Sequence, residues 1–180
     1  MTDIGESIAG GLALAAEDIA DRKCPACGAI WKKTEPTLGQ VRKAIQEEFH
    51  KYELELKSLE SSGQLGYRGS VASGSVGNPG KVHFGFQPDI RGECNVGFDV
   101  DGFMLSKVVY HRIKPDKSGK RWASRLRATR KLESSIRSSL SARNELQYMK
   151  KGREGFEMLI RHYDELSKLH GKGPIIIVIH

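Results

Sequence analysis

Apolar positions recur every three or four residues from about Leu38 to Leu59, at Val41, Ile45, Phe49, Tyr52 and Leu56. This spacing predicts one long amphipathic helix, ended by Ser61-Ser62-Gly63. The same period predicts an alanine-rich helix over residues 3 to 20, a helix from Trp122 to Leu140, and another from Phe156 to Leu169 through Leu159, Ile160, Tyr163 and Leu166. Gly152 and Gly155 separate the last two. Shorter apolar stretches predict a strand over Gln64 to Arg68, leading into Gly69-Ser70, and a strand over Phe98 to Ser106 extended by or paired with Val108 to Ile113. The β-branched run Ile175 to Ile179 suits a strand buried on both faces. Between them, Val71 to Gly97 is glycine-rich, contains Pro79 and Pro88, and reads mostly as a long loop of the kind that carries function. No internal repeat is present. The expected fold class is α/β (α+β): a small mixed sheet flanked by helices over residues 61–180, with a helical N-terminal appendage over residues 1–60.

Charge changes this picture more than composition does. The 180 residues carry a formal charge of +7 and a pI near 9.4, which points to a polyanionic partner because lysine and arginine displace counterions from phosphate. Cys24, Cys27 and Cys94 cannot all pair within one chain, which favours a reducing compartment and a cytoplasmic site of action. The apolar run Ile8 to Ala16 is interrupted by glycines, flanked by Glu6, Glu17 and Asp18, and far shorter than the ~20 residues that span a bilayer. No membrane span and no signal peptide are therefore expected. Delivery into a target cell by a route without such a peptide stays open.

The candidate chemistry centres on Asp99-Val100-Asp101. Side chains alternate along a strand, so both carboxylates share one face. Their mutual repulsion is relieved by a bridging divalent cation, and hard Mg²⁺ takes carboxylate oxygens while sharing its other positions with water and substrate phosphates. Gly69 lets backbone approach a triphosphate, and Ser70 with nearby amides can donate to its oxygens. The alternative for the aspartates is a solvated strand edge, or neutralisation by nearby arginine.

The phrase Tyr67-Arg68-Gly69-Ser70-Val71-Ala72-Ser73-Gly74, followed by Phe98-Asp99-Val100-Asp101-Gly102-Phe103, resembles the nucleotidyltransferase fold of the DNA polymerase beta superfamily. It is similar in particular to nucleotidyltransferase-like domains of bacterial polymorphic toxins. The similarity spans about Tyr67 to Ser106, with looser agreement through Trp122. The resemblance implies Mg²⁺- or Mn²⁺-dependent transfer of a nucleotide from an NTP to a tRNA, other RNA, protein or small-molecule acceptor. It implies that Gly69 and Ser70 contact phosphate and that Asp99 and Asp101 bind metal. A toxin would also have a cognate immunity protein, and an acidic inhibitor would suit the basic surface. The connector from Ser70 to Asp99 is longer than in minimal family members, and the final strand offers no third acid. Glu157 can substitute if Gly155 to Arg161 is extended rather than helical, and Glu133 is the other candidate.

Three further features bear on partners. Lys114, Lys117, Lys120, Arg121, Arg125, Arg127, Arg130 and Lys131 are opposed only by Asp116. Lys120 and Arg121 follow a turn and can meet the triphosphate at a helix N-terminus, while another side of the segment tracks RNA; the alternative is a solvated helix face. Cys24-Pro25-Ala26-Cys27-Gly28 has the spacing of one zinc knuckle, with Cys94 and either His50 or His83 as candidate completing ligands. Free thiols, or a metal shared between chains, are the alternatives. The loop Gly74 to Lys81 lacks the Gly-Lys-Ser/Thr ending of a Walker phosphate loop and reads as a cover over the site, where His83 and Phe84 could meet a base. A non-catalytic basic nucleic-acid-binding protein with a zinc knuckle, and a synthetase of a small nucleotide signal, are the rival functions.

Overall fold

Thr37 starts the first long helix by closing a capping box. Its hydroxyl accepts from the Gln40 N–H at 3.2 Å, and the Gln40 side chain accepts from the Thr37 N–H at 2.8 Å. The computed structural model describes residues 22–23, 30–31, 36–76, 83–84 and 98–180. Two short strands, β1 (Arg22–Lys23) and β2 (Ile30–Trp31), pair antiparallel ahead of the capped helix, α1 (Leu38–His50). The helix expected over residues 3 to 20, Cys24, Cys27, Cys94 and the tip of the glycine-rich loop lie outside the described residues.

The single helix expected from Leu38 to Leu59 is two, because the chain turns at Lys51–Tyr52 before α2 (Glu53–Leu59). Tyr52 is committed at that turn: its hydroxyl lies 3.0 Å from the Ser135 carbonyl and 2.7 Å from the Ser139 hydroxyl of a later helix. Next come β3 (Gln64–Arg68), the one-turn helix α3 (Ser70–Ser73), and a hairpin of β4 (Ser75–Val76) with β5 (His83–Phe84). The chain continues through β6 (Val100–Leu105), α4 (Val108–Arg112), a 3₁₀ turn at Ala123–Arg125 and α5 (Arg127–Ser141). It ends with β7 (Phe156–Arg161), α6 (Leu166–His170) and β8 (Ile175–Ile179).

Two expected elements change type. Val108 to Ile113 forms α4 instead of a strand, because the Ser106 hydroxyl accepts from the Val109 N–H at 2.9 Å and turns the chain out of the sheet. Phe156 to Arg161 is a strand, although its apolar residues also satisfy a helical period. Pairing with β6 decides between the two, burying Phe156, Met158 and Ile160 on one side.

The main sheet has the order β7-β6-β3-β8, with β3 antiparallel to both neighbours and β6 parallel to β7. The fold is thus mixed α/β, with an open four-stranded sheet and helices. β8 lies at a sheet edge, and Ile175 to Ile177 are only half-buried, so the β-branched run is not a strand covered on both faces as expected. One face of the sheet packs Leu65, Tyr67, Val100, Met104, Phe156, Met158 and Ile160 against α1 and α5. There the Phe49 ring meets Tyr67 and Phe156 edge-on at 6.0 and 5.9 Å. Gly102 lies on this face because a Cβ there would fall 2.7 Å from the Phe156 ring. Helices α1 and α2 supply Val41, Ile45, Phe49 and Leu56 to this same core, although they fall within the expected N-terminal appendage. On the opposite face a smaller cluster of Phe103, Leu105 and Leu169 covers only part of the sheet. Among the described residues, no helix is long and apolar enough to cross a membrane.

Candidate functional site

Strand alternation puts Arg68, Asp101 and Glu157 on the sheet face opposite Tyr67, Val100 and Phe156. Register then brings them into one row: Arg68 pairs with Asp101 across β3 and β6, and Asp101 pairs with Glu157 across β6 and β7. The row floors a cleft of about 280 Å³, whose walls include Phe103, Lys120, Trp122, Leu159, Arg161 and Lys172. Asp99, two residues before Asp101, is half-buried just outside β6. The extended backbone on which Glu157 depended as a third acid is therefore present. Glu133, the other candidate, is buried on α5, ion-paired with Arg137, and does not line the cleft.

Asp101 carries the strongest electrostatic signature of the row. Its carboxyl is held above its ordinary value, first by burial and next by the Asp99 charge, with Glu157 adding to the effect while Arg68 and Lys120 oppose it. Its side chain keeps access to water through the open side of the cleft. A divalent cation or a proton is what such a group of carboxylates favours.

Gly69 joins the two halves of the site. It has φ +80° and ψ −152°, a conformation essentially confined to glycine, and a Cβ there would lie 2.4 Å from Asp101 Oδ2. The chain therefore turns from β3 into α3 directly against the aspartate, with Ser70 as the first residue of the turn. Arg42 of α1 fixes the far end of α3, donating to the Val71 and Ala72 carbonyls at 2.9 and 2.6 Å.

The wall beyond Glu157 is set by Asp116. Asp116 Oδ1 accepts from the Ser118 hydroxyl at 2.7 Å and from the Ser118 and Lys120 N–H groups at 2.8 and 2.9 Å. Its Oδ2 accepts from Trp122 Nε1 at 2.7 Å. These bonds, that of the Ser118 side chain foremost and then that of Trp122, hold the Asp116 carboxyl well below the usual carboxylate range. Trp122 bridges antiparallel to Leu159, so the helix expected to begin at Trp122 starts only at Arg127. The Lys120 ammonium stands 5.6 Å from the Trp122 ring centre.

Because this segment is extended, neighbouring residues point in opposite directions. Lys120 and Trp122 reach the cleft, whereas Arg121, expected beside Lys120 as a phosphate contact, does not line it. The Arg121 guanidinium stacks 3.9 Å from the Tyr110 ring centre and donates to the Tyr110 hydroxyl at 2.9 Å. Sequence reasoning did not single out Arg161 or Lys172, and it took Trp122 for a helix anchor. The alternation of Glu157, Leu159 and Arg161 with buried Phe156, Met158 and Ile160 is the signal that would have found the wall.

Among the described residues, no group of three or more His, Cys, Asp or Glu side chains is gathered tightly enough to enclose an ion. The zinc site expected at Cys24 and Cys27 lies outside those residues, and so does Cys94. His50, one of its expected completing ligands, is exposed and lies 4.0 Å from Glu53. Asp101 and Glu157, on strands ~4.8 Å apart, offer hard oxygen donors with one side open. That donor set fits Mg²⁺ or Mn²⁺, which commonly binds one or two carboxylates and completes its shell with water and phosphate. No protein-family model matches the chain, and the comparisons with curated proteins and with solved structures found no match.

Proposed function

We propose that the cleft transfers a nucleotide from an NTP to an acceptor hydroxyl, with Mg²⁺ or Mn²⁺, as the nucleotidyltransferase resemblance implies. The observation that supports this reading is the close approach of Gly69 to Asp101, which sets the turn from β3 into α3 beside the carboxylate row. In this reading Asp101 holds the metal together with Glu157 or Asp99, and water and phosphate complete its shell. The Gly69-Ser70 backbone and the Ser70 hydroxyl hold phosphate oxygens. Lys120, Arg68 and Lys172 supply positive charge around the triphosphate, and the Trp122 ring forms the wall beside it.

The acceptor hydroxyl attacks the α-phosphorus in line, forming a new P–O bond as the α–β bridging bond breaks and pyrophosphate leaves, while the hydroxyl proton passes to water on the open side of the cleft. A divalent ion held by Asp101 and Glu157 would supply positive charge against the phosphate oxygens. The row orients the α-phosphate, and the open side of the cleft admits the acceptor. As a toxin of bacterial antagonism, such an enzyme would be countered by an acidic immunity protein, and its toxicity on expression would require Asp99 and Asp101.

The test is incubation of the protein with each labelled NTP, Mg²⁺ and total cell lysate, followed by separation of labelled RNA, protein and small molecules. Transfer that disappears in Asp101→Asn and Glu157→Gln with the fold retained supports the reading. Transfer that is unchanged in both variants would overturn it.

A further inference from the structure

The positive charge of this protein is concentrated in one stretch. Residues 107–131 hold ten of the chain's 29 Lys and Arg but only one of its 22 Asp and Glu. The rest of the chain carries 19 basic and 21 acidic side chains, so the whole excess of positive charge lies in this stretch. Its single acid, Asp116, is already occupied by the four hydrogen bonds that shape the cleft wall.

Folding gathers part of this charge around a groove of about 770 Å³, lined by Arg112 of α4 and by Leu126, Arg127, Arg130, Lys131 and Ser134 along α5. No acidic residue lines it. Among the described residues, none of Arg112, Arg127, Arg130 and Lys131 is ion-paired. On α5, Arg130 and Lys131 lie three and four residues beyond Arg127, which puts all three on one helix side. The 3₁₀ turn Ala123–Arg125 joins Trp122 of the cleft wall to Leu126 of the groove, and Arg125 braces it by donating to the Lys114 and Pro115 carbonyls at 3.2 Å each.

A stripe of unneutralised cations suits a linear polyanion better than a compact anion or an apolar partner. We propose that the groove between Arg112 and α5 binds the phosphodiester backbone of a nucleic acid, making a polynucleotide the acceptor class of the cleft. The acceptor assignment rests on the transferase reading above, whereas the binding surface does not. Backbone contacts position the chain without reading bases, and the short turn Ala123–Arg125 connects the groove to the cleft wall at Trp122.

The test measures fluorescence anisotropy of labelled single-stranded RNA and DNA of matched sequence, with polyglutamate as competitor. Four phosphate contacts predict a slope of log K against log salt of about −3, an affinity loss of about 50-fold between 50 and 200 mM salt. Arg127→Gln, Arg130→Gln and Lys131→Gln combined should weaken binding at least about tenfold and bring the slope to about −1, with the thermal melt unchanged. The RNA and DNA arms separate recognition of the 2′-hydroxyl from recognition of the shared backbone. Unchanged binding in the triple variant would overturn the proposal, as would polyglutamate competing as well as the nucleic acid does, which would mark the groove for an acidic protein. Groove-dependent binding without nucleotide transfer would leave the surface standing and remove the transferase reading.

Discussion

The two faces of the four-stranded sheet are made by the same strands, yet they do opposite work. One face buries Tyr67, Val100, Phe156 and Met158 under α1 and α5, and Phe156 has no exposed surface. The other carries Arg68, Asp101 and Glu157 in one row beneath an open cleft. Successive residues of a strand thus write core and site alternately. Stability and chemistry can be separated by single-residue steps, as Phe156 beside Glu157 and Val100 beside Asp101 show.

The strongest break of this comparison is Phe156→Ala. Removing a fully buried ring between Phe49 and Gly102 should cost about 3–5 kcal/mol, read from denaturant unfolding, with activity lost only as the folded fraction falls. On the other face, Asp101→Asn should reduce the proposed metal-dependent transfer on the order of 100-fold or more while leaving the fold intact.

Stability should also separate the faces through pH. The folded Asp101 carboxyl titrates above its unfolded value, so the folded state holds the proton more tightly. The contribution of this one group to stability therefore falls as pH rises from the ordinary carboxylate value through the raised folded one, against the rise contributed by Glu48, Asp116 and Glu145, whose carboxyls are held low. Asp101→Asn should remove that contribution, so that the variant gains stability relative to the parent as pH rises, and Mg²⁺ should stabilise the parent protein more than the variant at neutral pH. Parallel melting curves across pH 3–8, with and without Mg²⁺, check both.

Gly69→Ala should combine the two kinds of damage. Its backbone conformation costs an L-residue about 1–3 kcal/mol, and the added methyl would push Asp101 out of the row. Stability and transfer should fall together, unlike in either preceding variant. The smallest effect is expected from Asp116→Asn, which weakens the bonds to Ser118, Lys120 and Trp122 at the wall. Nucleotide KM should rise severalfold with kcat little changed. Equal loss in kcat would show that the wall takes part in the chemical step.

Much of the site's floor could be read along the chain. The strand at Gln64–Arg68 was expected as it stands, and the one expected over Phe98 to Ser106 is present as Val100–Leu105, which keeps Asp101 in the strand and leaves Asp99 just before it. Phe156 to Arg161 could not be settled this way. Phe156, Leu159, Ile160 and Tyr163 satisfy a helical period, while Phe156, Met158 and Ile160 satisfy that of a strand. Arg121 depends on the fold in a related way: expected with Lys120 at a helix N-terminus, it lies in the extended segment paired with β7 and turns towards Tyr110.

The sequence by itself determined what was short in range: the β3 strand with its glycine turn, the alternating aspartates, and the concentration of cations after β6. Local geometry suffices for these, since a backbone period or a count of charges needs no distant partner. Only the tertiary structure decided that β7 is a strand, that Glu157 stands in register with Asp101, and that Gly69 closes against the same carboxylate. Those placements depend on pairing between segments far apart in the chain. There, burial of Phe156 and Met158 against α1 and α5 outweighs the local preference for a helix.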